Sequence, residues 1–259
     1  MEPTSSPSDD AVHVVVTGGD PIDPALLRLV PPGACTIGVD SGIGHALDLG
    51  LVVDVAVGDF DSVAPEDLAA AEDAGATIER HPAAKEATDL ELGLHAAMAR
   101  GARRVVVLGG HGGRLDHLLA NALLLAAAPF AAVEVEAHMG TASVTVARPG
   151  RVTPVLAPVG ALVSLLPVGG PATDVTTAGL AYPLRREALA PGTTRGVSNV
   201  VAGPAATVTL GGGTILVVVP GGPAPSEPAP REPVPREPSP RGHDEQDTSG
   251  RITARETES

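Results

Sequence analysis

The strongest constraint on this chain is a series of short, almost continuously apolar runs that alternate with helical segments between Val12 and Ala137. Val12–Thr17, Thr36–Val39, Val52–Val57, Thr77–Arg80, Arg104–Leu108 and Val133–Ala137 read as strands. Helix signals lie between them, over Pro24–Val30, Ile43–Leu49, Pro65–Ala74 and Leu115–Ala127, and from a capping box at Thr88-Asp89-Leu90-Glu91 to about Arg100. A strand with one wet face alternates polar and apolar residues. Strands that are apolar at successive positions are buried on both faces, which implies a parallel sheet with helices on either side.

From about Ser143 the texture changes. Ser143–Ala147, Ala161–Leu166, Val197–Val201, Ala206–Leu210 and Thr214–Val219 are β-branched segments divided by Pro and Gly, and helical periodicity fades. The expected fold is α/β: an N-terminal Rossmann-like parallel-sheet domain over residues 12–142, then a C-terminal all-β, sandwich-like domain over 143–220. Residues 1–11 read as a disordered leader. Residues 221–259, with Arg231-Glu232-Pro233 and Arg236-Glu237-Pro238 among dense Pro, hold too little apolar area to offset the entropy of ordering, and read as a disordered tail.

Composition narrows the function. A net charge of −14 argues against a nucleic-acid groove, since phosphate backbones need basic stripes. No apolar run approaches the roughly 20 residues that span a bilayer, and the polar, acidic start lacks the features of an export signal. With one cysteine, Cys35, the chain builds no internal disulfide framework, and the expected location is the cytoplasm. Lys85 is the one lysine among seventeen basic residues. It marks either a position that needs a compact ammonium or a chance survivor of an arginine-rich composition.

In an open parallel sheet, ligands bind outside the carboxyl ends of the strands. The chemically distinctive residues fall there: Asp40 and Gly42 after one strand, Asp59 and Asp61 after the next, Lys85 and Asp89 in a strand-to-helix turn, and Gly109 through Asp116 after another. Crowded carboxylates repel, and hard oxygen ligands of this type suit Mg²⁺. A cation would also reconcile an acidic rim with an anionic nucleotide. Taken singly, Asp89 could be a helix-start acid, and Asp59 and Asp61 ordinary turn residues. The Gly109–Gly113 run, which includes Gly110 and His111, can bring backbone N–H groups to phosphate, and Arg114 supplies a forked cation. His117 and Asn121 share a helix face at i, i+4.

Gly58-Asp59-Phe60-Asp61-Ser62, Lys85-x-x-Thr88-Asp89 and Gly112-Gly113-Arg114-Leu115-Asp116-His117 through Asn121 resemble, in order and spacing, the signature blocks of thiamine pyrophosphokinases. Asp40-Ser41-Gly42 resembles a fourth block, with Ser where Gly is usual. Ser164–Pro167, Gly179–Leu184 and Ser198-Asn199 resemble landmarks of the family's β domain. The likeness spans roughly Val12 to Pro220. It implies transfer of diphosphate from ATP to thiamine, with Mg²⁺ held by Asp59, Asp61 and Asp89, and with these and Lys85 as catalytic residues. It further implies nucleotide contacts from Asp40, Gly42, Gly110, Gly113, Arg114, Asp116, His117 and Asn121, thiamine contacts from Ser198 and Asn199, and a homodimer with thiamine near the subunit interface. One departure stands out: the C-terminal Trp that stacks on thiamine in some members is absent here. Two alternatives remain open at this level: a pyrophosphokinase for another alcohol such as a hydroxymethylpterin, and a non-catalytic nucleotide-binding scaffold.

Overall fold

The computed structural model describes residues 11–82 and 87–221. Lys85 and the segments read as leader and tail, apart from Ala11 and Gly221, lie outside the described residues.

The apolar runs form parallel strands as their composition requires. They are β1 (Val12–Thr17), β2 (Cys35–Val39), β3 (Val55–Gly58), β4 (Thr77–Arg80), β5 (Arg104–Leu108) and β6 (Glu134–Met139). Their order is β6-β5-β1-β2-β3-β4, every pair parallel. The chain steps outward from β1 in one direction through β4, then returns to place β5 on the other flank of β1. Strand order therefore reverses between β1 and β5, where such sheets open a crevice for a ligand.

Alternate residues of each strand feed different cores. Val15, Ile37, Val57 and Val107 pack with Leu90 and Leu94 of α3 (Asp89–Ala99) and Leu125 of α4 (Leu115–Leu125). Val14, Val16, Ala56 and Leu108 face the other way, onto Ile43 and Ala46 of α1 (Gly42–Asp48) and Ala71 of α2 (Pro65–Asp73). Most boundaries shift by one or two residues, and two differ for a clear physical reason. Pro24–Leu29 is a 3-10 segment capped by Asp23, too short and proline-led to sustain α-helical bonding. The third strand starts at Val55, because Val52 stands 64% exposed before the chain enters the sheet.

The remaining strands are β7 (Ala142–Ala147), β8 (Thr153–Pro154), β9 (Leu162–Pro167), β10 (Ala172–Ala178), β11 (Arg185–Leu189), β12 (Asn199–Val200), β13 (Thr207–Thr209) and β14 (Ile215–Val219). β7, β14, β9 and β12 add antiparallel to β6, so ten strands form one mixed sheet. A second antiparallel sheet, β11-β10-β13-β8, covers its far end. Val163, Leu165, Ile215 and Val217 from the large sheet meet Val175, Leu189 and Val208 from the small one in a sandwich core. β14 shows how one strand serves both regions: Ile215 and Val217 enter the sandwich core, while Leu216 and Val218 pack toward the α3–α4 core.

Candidate active site

A cavity of about 660 Å³ opens at the carboxyl ends of the parallel strands. Its walls come from five places: Thr17, Gly18 and Gly19 after β1; Asp40 and Ser41 after β2; Asp59 and Asp61 after β3; Thr88 and Asp89 at the start of α3; and Gly110, His111, Gly112 and Arg114 after β5, with His117 and Asn121 on α4. Residues as far apart in sequence as Thr17 and Asn121 thus share one cleft.

The acidic side is tightly built. One carboxylate oxygen from each of Asp40, Asp59 and Asp61 lies within 4.8 Å of the others. Asp40 has φ 45° and Phe60 φ 65°, both left-handed and uncommon for residues with a Cβ. The turn is held by Asp40 itself, whose Oδ1 accepts the Phe60 N–H at 3.0 Å and whose N–H donates to the Val57 carbonyl at 3.0 Å. Gly58 has φ 152°, and a Cβ there would collide with the Asp40 carboxylate, so glycine alone lets β3 deliver Asp59 this close to β2. Arg80 closes the outside of the turn, donating to the Asp59 carbonyl at 3.1 Å and lying 4.6 Å over the Phe60 ring. Asp61 N–H donates to Asp59 Oδ1 at 3.2 Å.

Burial pushes the Asp40 carboxyl up to about 6, against the opposing Phe60 N–H, and the Asp89 and Asp59 charges push the same way. Asp40 and Asp89 are also joined by a side-chain hydrogen bond. Three carboxylates with Asp89 beside them form a set of hard oxygen donors suited to a divalent cation. The close group thus holds Asp59 and Asp61 of the expected set together with Asp40, whose role the sequence placed with the nucleotide, while Asp89 stands beside Asp40. Thr88 caps α3, accepting the Glu91 N–H at 3.4 Å, and so sets Asp89 at the first position of that helix.

The other expected residues divide. Gly110 and Asn121 meet directly, the Asn121 amide donating to the Gly110 carbonyl at 3.1 Å, and His117 lines the same wall. Arg114 lines the cleft, but Asp116 holds it in a two-pronged contact of 3.2 and 2.6 Å. That hydrogen bond holds the Asp116 carboxyl down at about 2. Asp116 and Gly113 are exposed and lie outside the lining, and Gly42 is buried where α1 meets β1. Ser198 and Asn199 stand at the opposite edge of the ten-stranded sheet, away from the cleft. Asn199 is 3% exposed, and both ends of its amide are bonded: Oδ1 accepts from Tyr182 N–H and Val200 N–H at 3.0 and 2.9 Å, and Nδ2 donates to the Tyr182 carbonyl at 2.7 Å. Ser198 has φ 56°, with its N–H on Ser164 Oγ at 3.1 Å. Sequence reasoning passed over Thr17, Gly18 and Gly19 as lining residues, and named Ser41, Thr88 and His111 only as parts of motifs. The Gly-Gly pair closing the first strand was the available signal.

Comparison with known proteins now bears on this geometry. The family model "Thiamin pyrophosphokinase, catalytic domain" matches residues 28–137, which hold the whole acidic cluster and the Gly-rich loop. The model "Thiamin pyrophosphokinase, vitamin B1 binding domain" matches residues 153–215. The chain belongs to the thiamin pyrophosphokinase family. Members of this family are ATP-dependent diphosphotransferases, and the second match disfavours both the pterin-alcohol and the scaffold alternatives. The chain is similar to the thiamine pyrophosphokinase of Bacillus subtilis (strain 168), 26% identical over 207 residues that cover 80% of this chain and 97% of that one. It shares its fold with a solved thiamine pyrophosphokinase structure from Bacillus subtilis, at TM-score 0.72 and 24% identity, covering 82% of this chain and 99% of that one. The thiamin pyrophosphokinase structure from Geobacillus thermodenitrificans matches at TM-score 0.68 and 28% identity, over 80% and 96% of the two chains. Among the described residues, no helix is long and apolar enough to cross a membrane.

Proposed function

We propose that the cleft at the carboxyl ends of β1, β2, β3 and β5 binds ATP and transfers its terminal diphosphate to the hydroxyl of thiamine, giving thiamine diphosphate and AMP. One observation carries the reading: Asp40, Asp59, Asp61 and Asp89 gather opposite a Gly-rich loop at the point where strand order reverses. The parallel-sheet half, residues 12–142, is then a Rossmann-like nucleotide domain, and residues 143–220 form the thiamine-binding, dimer-forming half.

The donor set fits Mg²⁺, which would be held by Asp59, Asp61 and Asp89 with Asp40 completing the acidic wall. When bound, it supplies charge neutralisation for the polyphosphate. The chain's own residues do the positioning. The Gly112 backbone N–H and the Arg114 side chain take phosphate oxygens, Arg114 exchanging Asp116 for them, while His117 and Asn121 hold the nucleotide side. Lys85, placed by sequence three residues before Thr88, is assigned to the polyphosphate. The thiamine hydroxyl attacks the β-phosphorus in line, its proton passing to a carboxylate such as Asp89, and AMP leaves. Such transfers depend mainly on alignment and electrostatic stabilisation.

Ser198 and Asn199 are assigned to the thiamine side. Asn199 acts there by clamping the Tyr182 backbone, its Oδ1 accepting two N–H groups and its Nδ2 donating to the Tyr182 carbonyl. Their distance from the cleft of their own chain supports a homodimer. So does an uncovered apolar stripe on α4, where Leu115, Leu119 and Leu123 are 54–69% exposed. The single cysteine supports a reducing, cytoplasmic setting. The test is direct: incubation with ATP, Mg²⁺ and thiamine yields AMP and thiamine diphosphate in equal amounts. AMP formed only with a pterin alcohol, or ATP bound with no turnover, overturns the reading.

A further inference from the structure

Two glycine-rich loops border the nucleotide side of the cleft, and the residue joining them has no role in the account above. Gly18-Gly19-Asp20 leaves β1, and Gly109–Gly113 leaves β5. Backbone bonds tie them together: Gly110 N–H donates to the Gly18 carbonyl at 2.9 Å, and Asp20 N–H donates to the His111 carbonyl at 2.8 Å. The side chains repeat the link, with His111 Nε2 lying 3.5 Å from Asp20 Oδ2. His111 is the more enclosed partner, its side chain 29% exposed against 60% for Asp20. Its ring is backed by Gly140, where a Cβ would come 2.6 Å from Nε2. One side of His111 lines the large cleft, and the other meets a small crevice shared with Asp23, His138 and Gly140.

The charge inventory of the cleft makes this position consequential. Among its described lining residues, Asp40, Asp59, Asp61 and Asp89 are acidic, and only Arg114, His111 and His117 carry or can carry positive charge. Arg114 is already engaged by Asp116. In its imidazolium form a histidine donates from both ring nitrogens. With one directed to Asp20, the second remains for an anion in the cleft. The titratable groups near the ring are Asp20 from the β1 loop, with Asp23 and His138 sharing its small crevice, while Arg114 lines the same large cleft.

We propose that His111 is a phosphate-binding residue of the nucleotide site, positioned by Asp20, so that the loop after β5 offers an ionic contact as well as backbone N–H groups. The proposal rests on reading the cleft as the ATP site. Its ligand chemistry is a polyphosphate: a charge-assisted contact of this type discriminates ATP from AMP, which lacks the β- and γ-phosphates. Asp20 touches no substrate and acts through the ring.

The test is calorimetric binding of ATP with Mg²⁺, and separately of AMP, to the full chain without thiamine. His111→Ala and His111→Gln weaken ATP binding about tenfold, the loss of one charge-assisted contact, and leave AMP binding within about threefold. His111→Arg, which restores a cation, keeps ATP affinity within about threefold of the parent. Asp20→Asn falls between. In turnover assays the KM for ATP rises while kcat stays near the parent value, a split that a merely structural role would not produce. ATP binding unchanged in His111→Ala, or weakened equally in the Gln and Arg variants, overturns the proposal. Parent protein that binds ATP with this dependence on His111 but makes no thiamine diphosphate overturns the acceptor assignment and leaves the His111 contact standing.

Discussion

The parallel half of the molecule and its antiparallel half solve the same burial problem in different ways. In β1, β2 and β5 nearly every residue is buried, because helices cover both faces, so composition alone marks the strand. In β10, Ala172, Val175 and Thr177 face inward while Thr173, Asp174 and Ala178 are exposed; in β11 only Leu189 is buried. The difference also locates chemistry. The parallel half ends its strands on one rim and gathers polar groups there, whereas the antiparallel half holds its polar residues in structural bonds such as those of Asn199. Substitutions should accordingly remove turnover without unfolding in the first half, and unfold without touching chemistry in the second.

The sharpest way to break that contrast is Asp59→Asn. We expect turnover to fall by about two to three orders of magnitude, comparable to removing a key electrostatic group, with the melting temperature unchanged. AMP release and thermal denaturation measured on one preparation decide it, and a rate near the parent value removes Asp59 from the site. Leu165→Ala probes the other half. Leu165 is fully buried in the sandwich core, and its truncation should cost about 2–5 kcal/mol in denaturant unfolding while ATP affinity per folded molecule holds. Asn199→Ala leaves the Tyr182 N–H and carbonyl without their partner, and about 1–3 kcal/mol of stability should go with them. If Asn199→Ala instead raises the KM for thiamine with stability intact, direct contact with thiamine is the better assignment.

The smallest expected effect lies where the halves join. Glu136 on β6 is buried, and hydrogen bonds from His138 at 2.9 Å and Arg104 at 2.7 Å hold its carboxyl below the ordinary glutamate value against the cost of burial. A carboxyl depressed in the folded state contributes stability above its unfolded value, near 4.5, and loses that contribution as pH falls through the folded value. Parent protein should exceed Glu136→Gln by about 1 kcal/mol at neutral pH, with half-exposed Arg104 limiting the gain, and the gap should close on acidification below that range. A gap that widens in acid contradicts the assignment.

Much of the parallel half could be read locally. The Thr88 cap, the α3 and α4 spans and the glycine-rich turn after β5 all sit where their residues place them, since each depends on neighbours within a few positions. β10 and β11 could not be read that way. Thr176, Thr177, Arg185 and Glu187 look like loop residues until the small sheet pairs them, register Thr176↔Arg185 and Val175↔Glu187. Asn199 was visible as a distinctive residue, but its hydrogen bonds run to Tyr182, seventeen positions away, and no spacing rule announces them.

What the amino-acid order settled by itself was the α/β rhythm, the supply of carboxylates and glycines at strand ends, and the family blocks that contain them. What tertiary structure alone decided was which of those groups meet. Asp40 joins Asp59 and Asp61 because β2 and β3 are hydrogen-bonded neighbours, and His111 reaches Asp20 because β5 crossed to the far flank of β1. Burial on both faces is written into each strand separately. Strand order is a property of the assembled sheet, set by long-range packing, and it is strand order that turns scattered turns into one cleft.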